Sequence, residues 1–253
     1  MCFELESSPP IPVVSGAAFF HEDLVLEAPD GNRFAAFAAL PDEPAGAGAV
    51  ILPDVRGLYR FYEELALRLA ERGIAAVAID YFGRTAGIGK RGAEFAYTEH
   101  VAQTTGEGIQ ADVAAAVARL RSPPGGSCAA VFTLGFCFGG RHSWLSAASG
   151  HWLAGAIGFY GVPGRGRDGA PGPLQRAGEL EAPILGLMGG ADQAISAADI
   201  AAFDEALTAA EVEHELVTYE GAPHSFFDRN KEEFAEASAD AWRRVLEFIE
   251  QHR

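Results

Sequence analysis

The stretch Val-Phe-Thr-Leu-Gly-Phe-Cys-Phe-Gly-Gly at 131–140 constrains the fold more than any other part of the 253-residue chain. Its apolar start, ending at Leu134, has the length of a strand buried on both faces. A cysteine between glycines follows, Gly135-x-Cys137-x-Gly139-Gly140, and then a helix-like run from Arg141 to Ala148. Residues without a Cβ tolerate unusual backbone and let two elements pass closely, so this pattern predicts a strand turning sharply into a helix. Cys137 stands at the apex. A lone Cys in an apolar segment also reads as a small buried hydrophobe, so the stretch alone leaves a reactive thiol and a packed one equally open.

The rest of the chain repeats the theme of short apolar runs followed by helical periodicity. Met1 to Phe20 reads as an irregular, Pro-containing leader (1–20) packed on one domain that spans 21–253. Asp23–Ala28 and Arg33–Leu40 flank the turn-rich Pro29-Asp30-Gly31-Asn32 and predict a hairpin. Ala49–Leu52, Ala75–Ile79, Leu153–Tyr160, Ile184–Met188 and His214–Tyr219 read as further strands. Tyr62–Arg72, Ile109–Leu120, Ile200–Ala209 and Glu232–Gln251 carry apolar residues at helical spacing, with Phe234, Trp242, Val245, Leu246 and Ile249 as the inward side of the last. Strands alternating with helices predict an α/β fold with a mostly parallel sheet covered on both faces. The Gly-rich segments Thr85–Gly92 and Gly161–Gly172 are the candidates for a lid.

Composition narrows the class. With 49% hydrophobic residues and no membrane-span-length apolar stretch, the chain reads as a soluble protein with a substantial core. No signal-peptide pattern precedes Pro9-Pro10, and Cys2, Cys128 and Cys137 show no metal spacing, so a cytoplasmic location is expected. Cys2 and Cys128 read as spare thiols. The net charge of −16 argues against nucleic acid or an anionic membrane as partner, because phosphate binding needs clustered cations. An anionic substrate would need a local arginine. A monomer is expected, with a homodimer as the alternative.

In a sheet of this kind ligands bind beyond the carboxyl ends of the strands. Five such ends carry polar or reactive groups: Asp54, Arg84, Cys137, Asp192 and His224. Acyl transfer needs a nucleophile, a base and a group that fixes the base's tautomer. Cys137 would attack, His224 would accept and return the proton, and Asp192 would orient the imidazole. Taken singly, His224 also reads as a partly buried loop histidine and Asp192 as an Asx turn. What joins them is chain order. Cys137, Asp192, His224 resembles the nucleophile-acid-histidine order of the α/β-hydrolases, and the glycine-flanked Cys137 resembles their nucleophile elbow. That likeness implies the α/β-hydrolase fold, with about eight strands, and an oxyanion hole built from the N–H groups of Phe138 and Val55.

Four motifs resemble one family within that fold, the dienelactone hydrolases: Gly135-Phe136-Cys137-Phe138-Gly139-Gly140, Asp80-Tyr81-Phe82-Gly83-Arg84, Gly190-Ala191-Asp192 and Tyr219-x-x-Ala222-Pro223-His224-Ser225-Phe226. The resemblance implies a Cys-His-Asp hydrolase of small esters or lactones that uses no metal or organic cofactor. It implies that Arg84 faces a substrate carboxylate, for which a guanidinium fork is suited, and that Ser225 assists. Asp54 stands where the family commonly has a Glu that takes the thiol proton; a loop cap is the other reading of it. The family's second arginine, four residues after the histidine, is replaced by Asp228, with Arg229 next to it. Arg56 and Arg60 read as solvated charges. A neutral-substrate esterase or thioesterase is therefore the alternative activity, and a non-catalytic binding protein on the same fold the alternative class.

Overall fold

The structure, a computed structural model, describes residues 3–166 and 168–253. Strands form at Phe19–Glu27 (β1), Arg33–Pro41 (β2), Ala47–Leu52 (β3), Ala75–Ile79 (β4), Ala130–Phe136 (β5), Gly155–Phe159 (β6), Ile184–Gly189 (β7) and His214–Tyr219 (β8). Helices span Arg60–Ala70 (α1), Gly83–Ala86 (α2), Tyr97–Val101 (α3), Gly106–Arg121 (α4), Phe138–Ser146 (α5), Ala197–Ala209 (α6) and Ala235–His252 (α7). The strands make one eight-stranded sheet in the order β1-β2-β4-β3-β5-β6-β7-β8. β1 and β2 pair antiparallel, as does β2 with β4, and all other pairs are parallel.

Burial follows directly from this order. Every residue of the five central strands β3 to β7 is buried, as parallel strands covered on both faces require. Along β3, Ala49 and Ile51 pack with α1 residues Leu65 and Leu69, while Val50 and Leu52 pack with Ile109 and Val113 of α4. The edge strand β1 alternates between partly buried and exposed positions, and its Glu22, Asp23 and Glu27 keep that edge polar. In α7, Trp242, Val245, Phe248 and Ile249 are buried.

The expected elements are present with shifted ends. β1 begins at Phe19 rather than Asp23, because pairing with β2 continues to Pro41. The region around Thr85–Tyr97 holds the short α2 and leads into α3, which glycine content concealed. α5 starts at Phe138, immediately after Cys137. From the leader, Phe3 and Ile11 enter the core. Cys2 lies outside the described residues. Among the described residues no helix is long and apolar enough to cross a membrane.

Parallel strands point their carboxyl ends the same way. The segments after β3, β4, β5, β7 and β8 therefore leave the sheet on one side, bringing with them Asp54, Arg84, Cys137, Asp192 and His224.

Candidate active site

The turn at Cys137 has φ 55° and ψ −110°, backbone that a side-chain-bearing residue rarely adopts. Such strain costs about 1–3 kcal/mol and persists only where the surroundings enforce it. The enforcement is visible. The Cys137 N–H donates to the Phe159 carbonyl at 2.9 Å, and its carbonyl accepts from Arg141 N–H at 3.1 Å. A Cβ on Gly135 would lie 2.0 Å from the Gly139 carbonyl oxygen, and one on Gly139 would lie 2.1 Å from that of Leu52. Only bare backbone fits. The start of α5 is thereby pressed against the end of β3, while the Cys137 thiol remains half-buried at the apex.

His224 Nδ1 meets Asp192 Oδ2 at 2.6 Å, and the Asp192 side chain is only 1% exposed. The other carboxylate oxygen accepts from Ala194 N–H at 2.8 Å, so the acid is held on both sides. With Nδ1 committed, Nε2 is the ring nitrogen left for the Cys137 side chain, which hydrogen-bonds the imidazole. Burial alone would lower the pKa of this ring. The bonds to Asp192 and Cys137 outweigh burial and raise it to about 9. Tyr160, whose ring centroid is 4.8 Å from that of His224, forms one wall.

The segment after β3 is fixed by tyrosines. Asp54 N–H donates to the Tyr62 hydroxyl at 2.8 Å, and the Tyr81 hydroxyl donates to the Pro53 carbonyl at 2.7 Å and also to that of Asp54. Gly57 N–H closes a turn onto the Asp54 carbonyl at 3.1 Å, leaving Val55 at a turn position whose own N–H the turn does not use. Phe138, as first residue of α5, likewise has an N–H without an intrahelical acceptor. Behind this loop Asp80, fully buried, accepts from Leu58 N–H at 3.1 Å and from the Arg91 guanidinium at 2.7 Å. Burial pushes the Asp80 carboxyl up, against the pull of Arg91.

This geometry coincides with sequence kinship. The sequence model of the Dienelactone hydrolase family matches residues 34–253. The chain belongs to the dienelactone hydrolase family. A candidate carboxymethylenebutenolidase of Salmonella typhimurium is 32% identical over 232 residues, covering 88% of this chain and 84% of the relative. The carboxymethylenebutenolidase of Rhodococcus opacus is 28% identical over 267 residues, 100% of this chain and 97% of its own. Among solved structures, a candidate dienelactone hydrolase from Klebsiella pneumoniae superposes with a TM-score of 0.79 at 28% identity, covering 92% of this chain and 99% of that one. The fold is that of the α/β-hydrolases, and the chain is a hydrolase of the dienelactone hydrolase type.

The remaining positions singled out for this dienelactone hydrolase relative are distributed unevenly. Asp54 is fully buried, and its carboxylate accepts from Arg56 N–H at 2.9 Å and from the Tyr59 hydroxyl at 3.3 Å, contacts that belong to its own loop. Arg84 turns to the Asp30 carboxylate, to Asp112 at 2.9 Å and to the Gly108 carbonyl at 3.0 Å. Asp112 is buried beneath that pair, and burial raises it to about 6 against Arg84 and Asn32. Ser225 is 3% exposed with φ 65°, so it turns the chain just after His224. Arg56 lies 4.0 Å from Glu4, and Arg60 pairs with Glu64 at the surface. Arg229 donates to the leader carbonyls of Pro9 and Ile11. The Cys128 thiol is buried, which pushes its pKa up. Among the described residues no group of three His, Cys, Asp or Glu side chains is placed to hold a metal ion.

Sequence reasoning passed over Tyr59, Tyr62, Tyr160 and Arg91. Tyr160 could have been found, since it follows the carboxyl end of a strand; Arg91 could not, because its partner is 11 residues away across an irregular segment.

Proposed function

We propose that the protein hydrolyses small esters or lactones through Cys137, His224 and Asp192, by way of a thioester acyl-enzyme. The supporting observation is the 2.6 Å bond from His224 to a nearly sealed Asp192, with Cys137 on the same ring at the apex of the elbow. The Cys137 thiol passes its proton to His224 as its sulfur attacks the carbonyl carbon, and the resulting oxyanion accepts from the N–H groups of Phe138 and Val55. Each such donor contributes about 3 kcal/mol in comparable sites. The tetrahedral adduct expels the alkoxide, which takes its proton from the His224 imidazolium. Water then gives a proton to the neutral ring as its oxygen attacks the thioester, and collapse of that adduct frees the carboxylic acid as the imidazolium returns the proton to the departing Cys137 sulfur. Asp54 helps hold Val55 in place, its carboxylate accepting from Arg56 N–H and from the Tyr59 hydroxyl.

The named relatives suggest a dienelactone-like substrate. A second reading, esters or thioesters of uncharged acyl groups, is favoured by a specific observation: Arg84, Arg56 and Arg229 are each directed to acceptors of the chain itself. Turnover of a dienelactone and of a neutral ester of similar size separates the two. Cys137→Ala and His224→Ala should each lose hydrolysis of both while melting as folded proteins. Hydrolysis retained in both variants would overturn the triad, and failure of Cys137 to take up a thiol-directed acylating reagent would favour a binding protein.

A further inference from the structure

The leader reaches the supports of all three parts of the candidate site. Phe3, 2% exposed, stacks on Phe61 of α1 with ring centroids 3.8 Å apart and meets Phe136 edge-on at 5.9 Å. Phe136 is the residue before Cys137, and Phe61 precedes Tyr62, the acceptor of the Asp54 N–H. Four residues on, the Ser7 hydroxyl donates to Asp228 Oδ2 at 2.7 Å, both residues being buried. Arg229 N–H donates to the Ser8 carbonyl at 3.0 Å, and its guanidinium donates to Pro9 at 3.1 Å.

Asp228 and Arg229 belong to the segment that follows His224. Phe226 and Phe227 between them are fully buried, and Lys231, whose N–H donates to the Asp228 carbonyl at 3.0 Å, sends its ammonium to the His224 carbonyl at 3.5 Å. A single stretch of nine residues is thus bonded to the imidazole segment while packed against the strand that ends at the thiol and the helix that holds the oxyanion loop.

We infer that residues 3–11 are a brace across the active site, and that the buried Ser7–Asp228 hydrogen bond is a positioning contact that sets His224 against Cys137. The inference rests on the triad proposed above. Neither Ser7 nor Asp228 touches the reacting atoms. Their effect is on geometry, where a 1 Å misplacement can lower a rate roughly a hundredfold.

The test measures kcat, KM and the pH profile of kcat/KM on one activated ester for Ser7→Ala, Asp228→Ala, the double variant and Asp228→Asn, with Ser122→Ala as a remote hydroxyl deletion. Ser122 donates to the Arg119 carbonyl at the end of α4, ahead of the amino end of β5, whereas the site lies beyond that strand's carboxyl end. The brace predicts that kcat falls about tenfold in each alanine variant with KM within about twofold, and that the double variant loses clearly less than the product of the two, because both singles remove the shared Ser7–Asp228 bond although each also frees one further donor, Glu4 N–H or Asn230 N–H. It also predicts that the alkaline limb of the pH profile moves, and that Asp228→Asn, which keeps an acceptor for the hydroxyl, recovers most of kcat. Ser7→Ala removes a single hydroxyl and carries the test by itself if Asp228→Ala does not fold. Unchanged kcat and pH profile in folded Ser7→Ala, additive losses, or an equal loss in Ser122→Ala would overturn the brace. If Cys137→Ala is inactive while Ser7→Ala behaves as wild type, the brace fails and the triad stands; if Cys137→Ala retains activity, the triad itself fails.

Discussion

Cys137 carries the backbone strain of the elbow itself, flanked by glycines whose role is to let neighbouring chain come close. Strain stored there fixes where the sulfur points, and His224 meets it from another part of the chain. Asp192 decides the protonation of that meeting. The His224 pKa is raised from 6.5 to about 9, so the proton is bound more tightly in the folded state than in the unfolded one. The stability this contributes is fully present below about pH 6.5 and is lost as pH rises through about 9. Asp192→Asn removes the strongest support, so that burial, which lowers the ring, is opposed by Cys137 without the carboxylate. The expected result is an alkaline limb displaced toward acid in the pH profile, with kcat down by about 10²–10⁴. Titrating the His224 ring by NMR in both proteins checks the sign independently of turnover.

At the scale of elements, the site depends on α5 lying against the end of β3, which bare glycine permits. Gly139→Ala would bring a methyl group 2.1 Å from the Leu52 carbonyl oxygen, and backbone on both sides cannot yield easily. The variant should lose about 3 kcal/mol or more of stability in urea unfolding; wild-type stability would mean that α5 stands further from β3. The elbow was legible in the sequence because glycine spacing records such approaches directly. The same holds for β4 and β8, whose ends coincide with the expected ones, since continuous apolar runs bounded by turn residues define strands. What could not be read were contacts between distant segments that lack periodicity. Arg84 illustrates this: its place after β4 was apparent, but its pairing with Asp30 on the hairpin turn and with Asp112 on α4 is a property of tertiary packing. The engagement of Asp54 by Tyr59, five residues on, was hidden for another reason: it depends on how the irregular loop after β3 turns, which no periodicity records.

For the whole molecule, the order of strands does most of the work, since a mostly parallel sheet gathers five separated segments at one side. Net charge acts over the same range. At −16, the field of the protein disfavours approach of an anion, and salt screens it with a length of roughly 10 Å at 0.1 M. For a monoanionic ester kcat/KM should therefore rise with ionic strength, whereas that of a neutral ester of the same shape stays flat; a fall with salt for the anion would indicate a cationic patch at the site mouth. Covalent trapping distinguishes a thioester on Cys137 from direct attack by water. Wild-type protein mixed with a slowly deacylating activated ester, quenched in acid within the first turnover and digested, should yield the acyl mass on the peptide containing Cys137. It should vanish in Cys137→Ala. Acyl label on another residue, or steady hydrolysis without any labelled Cys137 peptide, would rule out Cys137 as the nucleophile.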